Sequence, residues 1–145
     1  MTVKKTLSLL VIMNVIILSA CGFSGGLEKA RTLAEEFLDD RFVSGGIGSE
    51  EYYSDIFWKY TRAEDWEYIK NMVETNLGEL QSYVLKSWKI QSKAKMGDIS
   101  GTIVVLIYDT EYELGSGQEK ITLMKGFWES DFQIIGHYFE SDIFA

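Results

Sequence analysis

TRAEDWEYIKNMVETNLGELQSYVLKSWKIQSKA, residues 61–94, contains the change of period that decides the fold. Up to Leu77 the apolar residues recur every three or four positions, at Trp66, Ile69, Val73 and Leu77. That spacing places them on one stripe of an α-helix. Thr61-Arg62-Ala63-Glu64 has the form of a capping box, in which a hydroxyl and a carboxylate satisfy orphan amides reciprocally. Gly78 then stands where a helix ends in a left-handed residue. From Leu80 the period falls to two. Val84, Trp88, Ile90 and Ala94 mark one side of a long strand, with Lys86 and Ser92 as exceptions. Lys89, Gln91 and Lys93 point to the other side, toward solvent.

Downstream, Met96-Gly97-Asp98 reads as a turn. Ile103 to Tyr108 is apolar on both faces, as a doubly covered central strand should be, and Asp109 to Tyr112 extend it with alternation. Gly115-Ser116-Gly117 is expected to close a hairpin. Glu119 to Lys125 forms a third strand with Ile121 and Leu123 on one face, and Gly126 to Asp131 turns the chain. Phe132 to Glu140 is the last strand, in which Gly136 invites a bulge or a close approach.

Upstream, Leu27, Ala30, Ala34, Phe37 and Leu38 recur at helical spacing, so Leu27 to Val43 reads as an amphipathic helix ending at Ser44-Gly45-Gly46. Gly48 prolongs the break, and Ser49 is placed to cap the next helix. That short second helix is expected over Glu50 to Tyr60, with Tyr53, Ile56, Phe57 and Tyr60 on one stripe. Helices and then a strand meander predict an α+β domain over residues 27–145, its N-terminal helices packed on a curved four-stranded antiparallel sheet. A sheet wrapping the third helix is the simplest way to cover the aromatic residues.

The first 20 residues predict a different fate. Lys4 and Lys5 precede an apolar run from Thr6 to Leu18, and small residues Ser19 and Ala20 lead to Cys21. A charged start, an apolar core and a small-residue cleavage site make a secretory signal. At about 1.5 Å per residue the run spans roughly 20 Å, short of the ~30 Å hydrocarbon core of a bilayer. Leu18-Ser19-Ala20-Cys21 resembles the lipobox of bacterial lipoproteins. The resemblance implies that the leader is cut before Cys21 and that Cys21 carries acyl chains. Two or more chains give stable anchoring. The expected location is the cell membrane or outer membrane of a bacterial envelope. Cys21 and Gly22-Phe23-Ser24-Gly25-Gly26 then read as a lipidated tether, whose five residues after the cysteine extend at most about 17 Å.

Composition bounds the chemistry. Cys21 is the one cysteine, so the domain has no internal disulfide and no thiolate cluster. Lys4 and Lys5 leave with the leader, so 14 basic residues fall to 12 against 22 acidic ones, and the net charge moves from −8 to about −10. Such a surface repels nucleic acid, and solubility explains it as well as a cationic partner does.

The domain also resembles the small bacterial lipoproteins with a cystatin-like or nuclear-transport-factor-two-like domain. The resemblance covers roughly Glu50 to Tyr138. It rests on the helix start at Trp66, on Leu77-Gly78-Glu79-Leu80 and the strand beyond it, and on Val105 to Tyr112. Glu119-Lys120-Ile121-Thr122-Leu123 and Phe132-Gln133-Ile134-Ile135-Gly136 complete it. Relatives are expected to carry tryptophan where Phe132 stands and tyrosine where His137 stands. These are packing motifs, and the architecture hosts isomerases, dehydratases, ligand binders and inert subunits alike.

Candidate chemistry is sparse. His137, the one histidine, could act as a base with Asp109 or a pocket tyrosine, yet simple alternation places it on the opposite face from Ile134. Tyr108, Asp109 and Tyr112 are similar to the phenol and carboxylate of steroid-isomerase-like cones, but adjacent strand residues face opposite ways, so only Tyr108 and Tyr112 share a side. Glu35-Glu36, Asp39-Asp40 and Glu50-Glu51 do not converge as metal ligands would. No metal, cofactor or phosphate-binding motif is present. Phe57, Trp58, Trp66, Trp88, Tyr108, Trp128 and Phe132 either fill the core or leave a cone lined by Trp66, Trp88, Tyr108, Tyr112 and His137. The expectation is a non-enzymatic binding or accessory module, taking an envelope protein or a small apolar ligand. The alternative is a small isomerase or hydrolase using Tyr108, Tyr112 and His137.

Overall fold

The computed structural model describes residues 25–144, apart from the side chains of residues 94–96. The leader, Cys21 and the first part of the tether lie outside the described residues. A long helix, α1, occupies residues 25–44, so Gly25 and Gly26 are helical and not tether. After a 3-10 turn over Glu50–Tyr52 come α2 (Asp55–Tyr60) and α3 (Ala63–Leu77). Four strands complete the domain: β1 (Leu80–Met96), β2 (Ile99–Tyr112), β3 (Gly115–Lys125) and β4 (Gln133–Glu140). They form one antiparallel sheet in the order β1-β2-β3-β4. The fold is α+β, with helices packed on an open meander.

Of the starts of α2 and α3, only that of α2 is set by a side chain that finds an amide. The expected second helix breaks at Tyr53, and Ser54 caps α2 by accepting from the Phe57 amide at 3.3 Å. The capping box at Thr61 does not form. Thr61 ends α2, Arg62 precedes α3 without a side-chain cap, and its guanidinium grips Asp65 at 2.8 Å twice. Only two residues separate α2 from α3, so Thr61 is committed to closing the earlier helix. Gly78 ends α3 at φ 75°, as expected, and a side chain there would strike Glu113.

The core face of the sheet is set by β2, where Val104, Leu106, Tyr108, Thr110 and Tyr112 are all buried. From α1, Ala30, Ala34, Phe37 and Leu38 are fully buried, and Trp66, Val73 and Leu77 come from α3. The first helix therefore shares with the third the covering of the sheet that the aromatic pattern assigns to the third. The covering is uneven, and on the face away from the core only the side chains of the paired Ile103 and Met124 are buried among the described β2 and β3 residues. On that face Val84 and Tyr138 are exposed, and Val105 and Ile107 are half-buried.

Bulges correct the strand faces. In β1 the register slips between Leu85 and Ser87, so Trp88 and Ile90 share the core face with Leu106 and Val104, while Val84 lies opposite exposed Asp109. In β4 the slip comes just after Ile134: Leu123 pairs with Ile134, but Thr122 pairs with Gly136. Ile135 is the extra residue, and parity reverses beyond it. The β2–β3 turn is Glu113-Leu114, with Tyr112 paired to Gly115. Gly115 and Gly117 belong to β3 instead. A side chain on Gly115 would strike Ile143, and one on Gly117 would strike the Glu140 carbonyl.

Candidate functional site

The reversed parity of β4 brings His137 inward, against the expectation from plain alternation. Its imidazole is sealed, with ring centroids of Phe37, Trp66 and Phe139 within 5.5, 5.5 and 4.3 Å. Nε2 lies 2.8 Å from Glu119 Oε2, and Nδ1 lies 2.8 Å from the Tyr53 hydroxyl. Glu119 is wholly buried on β3. Arg41 of α1 spans both its carboxylate oxygens from Nη1 at 2.8 Å. Arg41 also donates to the Gly46 carbonyl at 3.1 Å and to the Tyr112 hydroxyl at 3.2 Å. Tyr112 in turn donates to Glu119. The result ties α1, β2, β3 and β4 to the chain at Tyr53 through one buried polar cluster.

Its electrostatics arise from burial and charge. Burial would raise the Glu119 carboxyl, but the Arg41 charge outweighs it, with hydrogen bonds from His137 and Tyr112, and holds it down at about 2. Desolvation lowers His137, against the pull of Glu119. An ionised Glu119 only accepts, so His137 Nε2 carries the proton and the Tyr53 hydroxyl donates to Nδ1. Burial pushes Tyr112 and Tyr53 upward, so both phenols stay neutral.

Of the residues expected to line a cone, Trp66, Tyr108, Tyr112 and His137 are buried. Among the described residues no cleft found is lined by them. Trp88 is half-exposed on the edge strand, away from the rest. Tyr108 lies roughly 13 Å along the strand from Tyr112 and packs on Tyr83, and its hydroxyl has no partner among the described residues. Asp109 sits on the outer face with Lys86 and Gln118, apart from His137. Arg41, Glu119 and Tyr53 join the site without being expected from sequence. A signal is present all the same: Arg41 falls on the stripe of Ala34, Phe37 and Leu38, and Glu119 shares parity with Ile121 and Leu123. An opposite charge on each of two apolar stripes points to a buried pair.

Described clefts lie elsewhere. One of about 380 Å³ is bounded by Asp109, Glu111, Gln118, Glu140 and Asp142 on the surface. Another of about 370 Å³ runs between α1 and the β3–β4 loop, along Lys29, Leu33, Asp131 and Phe132. Neither reaches the cluster. No protein-family model, curated protein or solved structure matches this chain.

Proposed function

We propose that this protein is a lipoprotein tethered in a bacterial envelope by acylated Cys21, and that its domain is a non-enzymatic binding or accessory module for a protein partner. The leader and the Leu18-Ser19-Ala20-Cys21 pattern support the tether. The sealed interior supports the role. Where a ligand cone would lie, the Arg41–Glu119 pair at 2.8 Å and the His137 imidazole occupy the space, each of their polar groups engaged by protein. A reacting group would have to displace Phe37, Trp66 or Phe139 to touch His137. The filled core moves weight from a small apolar ligand, and from the isomerase or hydrolase alternative, to recognition on the outside of the domain.

The test is made in cells. Mass spectrometry of the membrane fraction is expected to find an N-terminal peptide beginning at acylated Cys21. Cys21→Ala is expected to move the protein to the soluble fraction and to remove its crosslinked partner. An unmodified Cys21, or a crosslinking pattern unaltered by Cys21→Ala, counts against the reading.

A further inference from the structure

We infer that Phe127 and Trp128, at the tip of the β3–β4 loop, form a second contact with the lipid surface beside the acylated terminus. The inference rests on the tether reading above. Trp128 is 100% exposed and Phe127 is 59% exposed. The two rings are adjacent and both stand in water, and Trp is enriched where apolar and wet media meet.

The tip is held, not loose. The Glu129 amide donates to the Gly126 carbonyl at 3.1 Å, closing a four-residue turn. The Glu129 carboxylate accepts from the Gly126 amide at 2.9 Å. Phe127 and Trp128 are the two central residues of that turn, positions usually given to Pro, Asn, Asp or Gly. A locked turn presents both rings with little further loss of freedom on contact.

The tip is also at the correct end. Ser130, Asp131 and Phe132 of the same loop share a cleft with Glu28, Lys29 and Thr32 in the first turns of α1. The β1–β2 turn lies at this end of the sheet, where Lys59 and Tyr60 both fasten to Asp98, and Tyr60 exposes a third aromatic ring. Cys21 is four residues before residue 25, so the acyl anchor lies at most about 14 Å of chain from the start of the described helix. A tether that short converts a weak interfacial contact into an intramolecular one. Without its leader the chain carries a net charge of about −10 and has no general attraction to anionic headgroups, so the aromatic tip supplies the contact.

The full-length protein, purified from membranes, is reconstituted into vesicles of phosphatidylethanolamine and phosphatidylglycerol brominated near the headgroup end of the acyl chains. Its tryptophan emission is expected to be quenched, and Trp128→Phe is expected to lose most of that quenching. Trp88→Phe should keep it, and Trp128→Phe should not lower Tm. Equal quenching in Trp128→Phe, or none in the unaltered protein, overturns the inference. The mass of the Cys21 peptide from the same preparation separates the two readings. Acylated Cys21 without Trp128 quenching leaves the tether standing and removes the tip contact. An unmodified Cys21 in the soluble fraction removes both.

Discussion

Arg41 and Glu119 are buried to 1% and 0% side-chain exposure, so each is tolerable only because of the other. Removing one partner strands a charge in the core. Arg41→Ala or Glu119→Ala should each destabilise the domain by about 3–5 kcal/mol in urea unfolding. Arg41→Met and Glu119→Leu together should cost less than the sum of the same two changes made singly, a coupling read in a double-mutant cycle. The acid response is set by the same groups. His137 is lowered from 6.5 in the folded state, so the unfolded chain binds its proton first as pH falls. Glu119 is lowered from 4.5 to about 2, with the same sign. Stability should therefore be full above about pH 6.5, decline below it, and decline further between about 4.5 and 2. Denaturation midpoints measured across that range check it; a midpoint that rises on acidification would refute the ionic state assigned to the cluster.

At the scale of elements, periodicity is a good guide and parity a poor one. The stripe from Trp66 to Leu77 and the strand beginning at Leu80 are legible because each repeats its spacing several times. The inward turn of His137 is not, because one extra residue at Ile135 reverses every face beyond it. Gly136 flags the bulge, but only the pairing of Thr122 with Gly136 shows which way the next residue points. Caps are hidden for a related reason. Thr61-Arg62-Ala63-Glu64 has the right letters, while the working cap is Ser54, seven residues earlier and outside any such motif. Ser54→Ala should cost about 1 kcal/mol, whereas Thr61→Ala should cost under about 0.5 kcal/mol. Thermal melts of the two variants decide between them. The site itself is half legible. Tyr112 and His137 stand out in the sequence, while Arg41 and Glu119 show only as single charges on two apolar stripes 78 residues apart.

For the molecule as a whole, one face of the sheet carries the core and the other faces outward. Hydrogen exchange should reflect that division. The slowest amides are expected at Val104 to Tyr108 and at Ile121 to Leu123, in the two inner strands under α1. Those of α2, six residues long at the edge of β4, should exchange much sooner. Uniform protection across both would argue against this layering. The link between Arg41 and Glu119 also has a consequence in time. Their positions are 78 residues apart. A ribosome adding roughly 5–20 residues per second makes the arginine roughly 4 to 16 s before its carboxylate exists. Until then the first helix has no reason to bury a cation, and its stripe has no sheet to lie on. The domain is thus expected to close only near the end of its synthesis, once the sheet that carries Glu119 has been made.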